Sequence, residues 1–174
     1  VLIHGIGGGV SVACLQLAKL VGAQVIVTSR SEEKLQRAAD LGADHVLPSD
    51  DQVARGVRRL TGKRGADVVV DSVGDATWMQ SLKAAAKGGR IVTCGATSGA
   101  NPAEEIRLIF WNQLSIIGST MGSREDWRSL VAAVNAHQLK PVIDTVLPLA
   151  EGRAAYERMD QAEQFAKIVL SIDG

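Results

Sequence analysis

A chain of 174 residues holds one ordinary domain with a single core, or one domain with part of a second. Hydrophobic residues make up 46%, and 19 Lys+Arg balance 19 Asp+Glu, so the composition is globular, with no basic excess for nucleic acid and no acidic tail. The apolar runs are short and broken, as Asp67 breaks Ala66 to Val70, and stop well short of the ~20 residues of a membrane span, which excludes a helical membrane protein. Apolar periodicity then predicts, in chain order, strand Val1 to His4, helix Val10 to Val21, strand Gln24 to Thr28, helix Glu32 to Leu41 and a short strand His45 to Leu47. Helix Gln52 to Thr61, strand Ala66 to Asp71, helix Thr77 to Ala86, strand Arg90 to Cys94, helix Ala103 to Asn112 and strand Leu114 to Ile117 follow.

Strands made of near-continuous aliphatic runs, alternating with helices, belong to a parallel sheet covered on both faces. Right-handed crossovers make this an α/β fold with a doubly wound six-stranded sheet, the Rossmann arrangement. The remainder, helix Arg124 to Ala136, strand Pro141 to Leu147, helix Ala150 to Asp160 and strand Lys167 to Ile172, is surplus to that sheet. Val142, Asp144 and Val146 alternate as in a strand with one face buried and one nearer water. Residues 1–140 are therefore expected to form one domain, and 141–174 a C-terminal segment that belongs to another. The chain opens at Val1, without Met and within a strand pattern, so any signal or upstream domain would lie outside it, and the compartment is not read from this end. Cys14 and Cys94 fall in a helix and at the end of a buried strand, unlike a secreted disulfide framework, and point to a reducing, cytoplasmic setting.

Between the first strand and helix lies His4-Gly-Ile-Gly-Gly-Gly-Val-Ser11, a turn without side chains whose amides can approach a pyrophosphate at the helix N-terminus. The dinucleotide fingerprint fits it imperfectly in two registers, Gly5/Gly7/Val10 and Ile6/Gly8/Ser11. The second is preferred, because Ser11 is small enough for close packing of helix on strand, where Val10 would push them apart. No Gly-Lys-Ser/Thr follows, which excludes a P-loop. At the end of the second strand, where a carboxylate would accept the ribose hydroxyls of NAD, stands Thr28-Ser-Arg-Ser31. Ser29 and Arg30, with Lys34 one turn on, suit a 2′-phosphate, so NADP is favoured with NAD as the alternative. The competing assignment makes Ser31 an N-cap and leaves Arg30 and Lys34 solvated. The same lack of an acid counts against a methyltransferase.

These residues, together with Ser31-Glu-Glu-Lys34, Leu41-Gly-Ala-Asp44, Asp71-Ser-Val-Gly74, Gly88-Gly-Arg90, Gly95 and Gly118-Ser-Thr-Met-Gly122, resemble the medium-chain dehydrogenase/reductase superfamily over nearly the whole chain. That group includes zinc alcohol dehydrogenases and zinc-free quinone and enoyl reductases. The resemblance implies that Gly8, Gly9 and Val10 lie at the pyrophosphate and that Ser29, Arg30 and Lys34 surround the adenosine ribose. It implies further that Ser72, Val73, Gly74, Gly95, Ala96, Thr97, Gly118 and Ser119, beyond the fourth, fifth and sixth strands, complete the cofactor crevice. The implied activity is an NADP-dependent oxidoreductase that moves hydride between nicotinamide and a small alcohol or carbonyl substrate. A zinc-free quinone or enoyl reductase and a non-catalytic NADPH-binding module are the alternatives.

The resemblance also implies that the C-terminal segment completes a catalytic domain, which would hold the catalytic residues and any zinc upstream of Val1. The three His and two Cys here are scattered with no ligand spacing, so no metal site and no catalytic residue is assigned. Cys94 is expected to be a buried small hydrophobe near the nicotinamide, and Cys14 part of the core. Trp111 and Trp127 are expected to be packing or interface anchors. A homodimer through the sixth strand, Leu114 to Ile117, is implied, with neither nucleic acid nor membrane as a partner.

Overall fold

The computed structural model describes residues 1–172. Six parallel strands alternate with five helices: β1 (Leu2–Ile3), α1 (Gly9–Leu20), β2 (Ile26–Ser29), α2 (Glu32–Asp40), β3 (His45–Pro48), α3 (Val53–Leu60), β4 (Ala66–Asp71), α4 (Asp75–Ala84), β5 (Ala85–Thr93), α5 (Ile106–Trp111) and β6 (Ser115–Gly118). Their order across the sheet is β3-β2-β1-β4-β5-β6, the doubly wound arrangement that the alternation predicts. Ile3 sits between Val27 of β2 and Val70 of β4, so the order reverses across β1 and β4.

Successive residues of each strand feed opposite faces. Leu2, Ile26, Val69 and Ile91 pack with α3 and α4 on one face, while Ile3, Val25 and Val27 pack with Val12 and Leu15 of α1 and Ala38 of α2 on the other. Each such aliphatic side chain contributes ~1.5–3 kcal/mol by leaving water. The helices start where local chemistry satisfies their free amides. Ser31 Oγ accepts from the Lys34 N–H at α2, with Glu32 and Glu33 on the positive end of the helix dipole.

Several boundaries depart from the periodicity, most clearly the end of α4 and the start of α5. Helix α4 ends at Ala84, and Ala85 and Ala86 instead open β5, because Gly65 lets that backbone approach closely. A Cβ at Gly65 would lie 2.6 Å from the Ala84 carbonyl oxygen. Alanine suits helix and strand alike, so tertiary contact decides. Helix α5 starts at Ile106 rather than Ala103, after Glu105, whose carboxylate accepts the Arg107 N–H. Strand β5 stops at Thr93, which leaves Cys94 exposed rather than buried, while Cys14 is half-buried against the core. Trp111 and Trp127 are 73% and 67% exposed, so neither anchors packing within this chain.

After β6 come α6 (Arg124–His137), β7 (Ile143–Pro148), a short 3-10 turn, α7 (Gly152–Asp160) and β8 (Lys167–Ser171). Strands β7 and β8 pair in parallel as a separate two-stranded sheet, outside the six. The last two residues of the 141–174 segment lie outside the described residues. Phe165 and Ala166 join the core layer of α1 and α2, and Phe165 carries the Arg37 guanidinium 4.5 Å above its ring. In β7, Val146 is exposed, whereas the Asp144 side chain is only 2% exposed. Its carboxylate accepts from Arg37 of α2 at 2.8 Å and from Arg158 of α7 at 2.9 Å, and these charges make its burial possible.

Phe165→Ala should cost ~3–5 kcal/mol in urea denaturation, as for a large aromatic removed from a packed core. Burial alone would raise the Asp144 pKa, but hydrogen bonds from Arg37, Arg158 and the Phe165 N–H, with the charge of Arg158, outweigh it and hold the carboxyl below its usual range. A depressed folded pKa gives stability that is complete above the unfolded value of ~3.9 and is lost as pH falls through the folded one. Asp144→Asn should therefore destabilise the protein at neutral pH by roughly 1–3 kcal/mol, towards the lower end because both guanidiniums are partly exposed. Urea denaturation across a pH series should show the deficit shrinking below ~3.9 and vanishing in stronger acid.

Candidate functional site

The crevice begins where β1 ends. The His4 N–H extends the ladder to Val70 O, and the Ile6 N–H donates to Thr28 O at 2.7 Å. Gly7 has φ +125°, a conformation that side chains rarely adopt, and Gly8 then caps α1 with no side-chain acceptor. The first turn of α1 holds no acidic residue, and among the described residues no protein acceptor meets the N–H groups of Gly9 and Val10. They are unpaired donors at the positive end of a helix dipole. Ser11 is buried, and its hydroxyl lies 3.1 Å from Gly5 O and 3.0 Å from Gly8 O, whereas Val10 is 51% exposed. Ser11 therefore faces the strand, as the preferred register requires.

Two ammonium side chains lie over this turn. A Cβ at Gly7 would come 2.7 Å from Lys34 Cδ, and one at Gly9 would come 2.7 Å from Lys167 Nζ. Lys34 reaches across Gly7 and donates to the Ala162 carbonyl, so its head lies over the glycine turn instead of beside Arg30. Burial lowers its pKa, with Asp144 and Glu33 opposing. The Ala166 N–H donates to Gly7 O at 2.8 Å, which docks the start of β8 on the turn. Lys167 and Ala166 were not among the residues singled out from sequence. Their only signal is an isolated Lys at the head of an apolar strand, far along the chain from the glycines.

At the end of β2, Ser29 is buried and its hydroxyl accepts the Ser31 N–H, while Arg30 is exposed. Ser31 does cap α2, as the competing assignment holds. Beyond β4, Asp71 is fully buried and organises the next wall. It accepts the N–H groups of Val73 and Gly74 and the hydroxyls of Thr77 and Ser81. Gly74 has φ +87°, and a Cβ there would lie 2.5 Å from Gly99 O. The Ser98 hydroxyl donates to Val73 O and accepts the Ala76 N–H, and the Thr97 N–H reaches Ser72 O. Thus Ser72, Val73 and Gly74 are laced to the loop that carries Gly95, Ala96 and Thr97. The Ser119 N–H donates to Thr93 O, which sets Gly118 and Ser119 beside them, both exposed.

His4 closes β1 beneath the crevice, with Nδ1 3.3 Å from Thr28 Oγ1 and a buried Nε2 that has no protein partner among the described residues. Burial lowers its pKa, with Asp71 opposing. It lines a cavity of about 290 Å³ with Ser49, Asp50, Thr77 and Gln80. No group of three or more His, Cys, Asp or Glu among the described residues is placed to hold a metal ion. No helix among them is long and apolar enough to cross a membrane. Chemically, the arrangement is an anion site, with unpaired amides and two ammonium groups at the reversal point of an open sheet.

Comparison with known proteins agrees with this geometry. The zinc-binding dehydrogenase family matches residues 9–136. A zinc-type alcohol dehydrogenase-like protein of Schizosaccharomyces pombe is 36% identical over 172 residues, which cover 95% of this chain and 50% of that protein. The crystal structure of an NAD-dependent alcohol dehydrogenase superposes with a TM-score of 0.90 at 42% identity, covering 98% of this chain and 50% of the other. A mycobacterial protein in complex with NADPH superposes with a TM-score of 0.82 at 30% identity, covering 97% and 55%. The chain spans about half the length of these relatives. With the sheet order, the glycine turn and these likenesses in agreement, the chain belongs to the zinc-binding dehydrogenases of the medium-chain dehydrogenase/reductase superfamily and forms their cofactor-binding part.

Proposed function

We propose that this chain binds NADP for an oxidoreductase that passes a hydride between the nicotinamide and a small alcohol or carbonyl substrate. The observation that carries the reading is the pair of unpaired amides at Gly9 and Val10 beneath the ammonium groups of Lys34 and Lys167. A diphosphate bridge satisfies all of these at once. Gly8, Gly9 and Val10 would hold the diphosphate. Ser29 and the exposed Arg30 would take the 2′-phosphate, for which a planar guanidinium suits and no carboxylate competes at that position. Lys34, directed to Ala162, supports the diphosphate side in place of the ribose role expected from its spacing.

Ser72 to Gly74, Gly95 to Thr97, Gly118 and Ser119 form the walls along which the nicotinamide half would lie. The bound cofactor supplies the hydride chemistry, and these residues bind it and fix its orientation. Zinc does not fit the residues present, so no step is assigned to a metal here. We assign substrate contacts to a catalytic domain that residues 141–174 help to complete, and a reducing, cytoplasmic setting in which Cys14 and Cys94 stay as thiols.

Titration by nicotinamide fluorescence should show NADPH bound more tightly than NADH. Arg30→Asp should weaken NADPH by about 10–100-fold, from the ~1.5–3 kcal/mol of a charged hydrogen bond, and leave NADH nearly unchanged. Equal selectivity in the variant would remove Arg30 from the ribose pocket. The exposed edge strand β6 would pair with its counterpart in a homodimer, and a monomer at micromolar concentration in sedimentation would refute that pairing.

A further inference from the structure

We propose that Asp144 is a positioning residue for the dinucleotide, acting through Lys167. This rests on the reading of the glycine turn as a diphosphate site. Asp144 touches no part of the turn itself. Its buried carboxylate ties β7 to two other elements, accepting from Arg37 of α2 and from Arg158 of α7, and it interacts with the Phe165 backbone N–H just before β8. Arg37 also lies over the Phe165 ring, and Arg158 reaches Glu163 at 3.4 Å, so the whole turn between α7 and β8 is gripped by the same two guanidiniums. The residues that follow Phe165 are the ones that meet the glycines, through the Ala166 N–H on Gly7 O and the Lys167 ammonium over Gly9.

The electrostatics give the clasp its direction. Two guanidiniums from different helices converge on one carboxylate, and without its charge they repel each other across a partly dry contact. Asn at position 144 keeps the shape and one acceptor oxygen but balances neither cation. Helix α2 and the α7–β8 turn then separate, and with them the distance from Lys167 to the start of α1 is no longer set. A cation that roams over a flexible range loses most of its contribution to a bound diphosphate, because the ordering has to occur on binding.

The test uses the natural full-length protein with Asp144→Asn, Lys167→Met, the double variant and Arg37→Met, which keeps an apolar stem over Phe165 but removes one cation of the clasp. The probes are NADPH, followed by nicotinamide fluorescence, and 2′-AMP, which lacks the diphosphate bridge, followed by competition. Asp144→Asn should weaken NADPH by about tenfold, leave 2′-AMP unchanged, and have no further effect once Lys167 is Met. Arg37→Met should give a smaller loss of the same kind, and it serves as the readout if Asp144→Asn does not fold. An equal loss for 2′-AMP, or an undiminished loss in the Lys167→Met background, would show that the clasp only holds the fold together, and would overturn the proposal. Failure of the unsubstituted protein to bind either NADPH or NADH would instead strike the diphosphate reading itself, and this proposal with it.

Discussion

Gly7 and Gly9 leave a space above the start of α1 that any side chain would fill, and the rest of the site is arranged around that space. Into it come two ammonium side chains, and beneath it lie backbone amides that meet no protein acceptor among the described residues. Every one of these groups carries positive charge or positive dipole, and no acidic residue stands in the first turn of the helix to balance them. Such a concentration costs stability in the free protein, and a bound anion relieves it. Local rules are broken here in one direction only, towards negative charge, and this supports the reading of the turn as an anion site.

The walls of the crevice follow from topology. Because the strand order reverses between β1 and β4, the crossovers leave that point in opposite directions and open a crevice at the strand ends there. One wall hangs from β1 and β2. The other is fixed by Asp71, whose hydrogen bonds to two amides and two hydroxyls hold the β4–α4 turn, and by Ser98, which joins that turn to the loop after β5. The crevice is therefore lined by backbone held in place from behind, so its shape is set before a ligand arrives.

Much of this was legible locally. Aliphatic runs separated by amphipathic stretches gave the sheet, and the choice between Ser11 and Val10 as the close-packing residue followed from side-chain volume, as the burial of Ser11 bears out. What the sequence did not disclose depends on contacts between distant segments. Lys34 looks like a residue for the neighbouring ribose until Ala162, 128 positions away, draws its amine across Gly7. Lys167 looks like the polar start of a strand until that strand docks on the turn. Ala85 and Ala86 suit helix and strand equally, and only the close approach at Gly65 assigns them to β5.

Asp144 shows why such contacts escape a reading by polarity. Residues 144 and 146 share one face of β7, so polarity alone would bury the valine ahead of the acid, yet here the acid is buried and Val146 is not. An apolar residue at 144, with Arg37 and Arg158 exchanged for apolar residues as well, could be equally buried, and such exchanges of a whole ionic cluster are often neutral or favourable for stability. It would pack against any apolar neighbour, however, and would fix no relation between α2 and α7. A carboxylate shared by two guanidiniums accepts one arrangement of three elements and penalises the others, so the ionic solution is explained by the need to hold one particular lysine over one particular glycine.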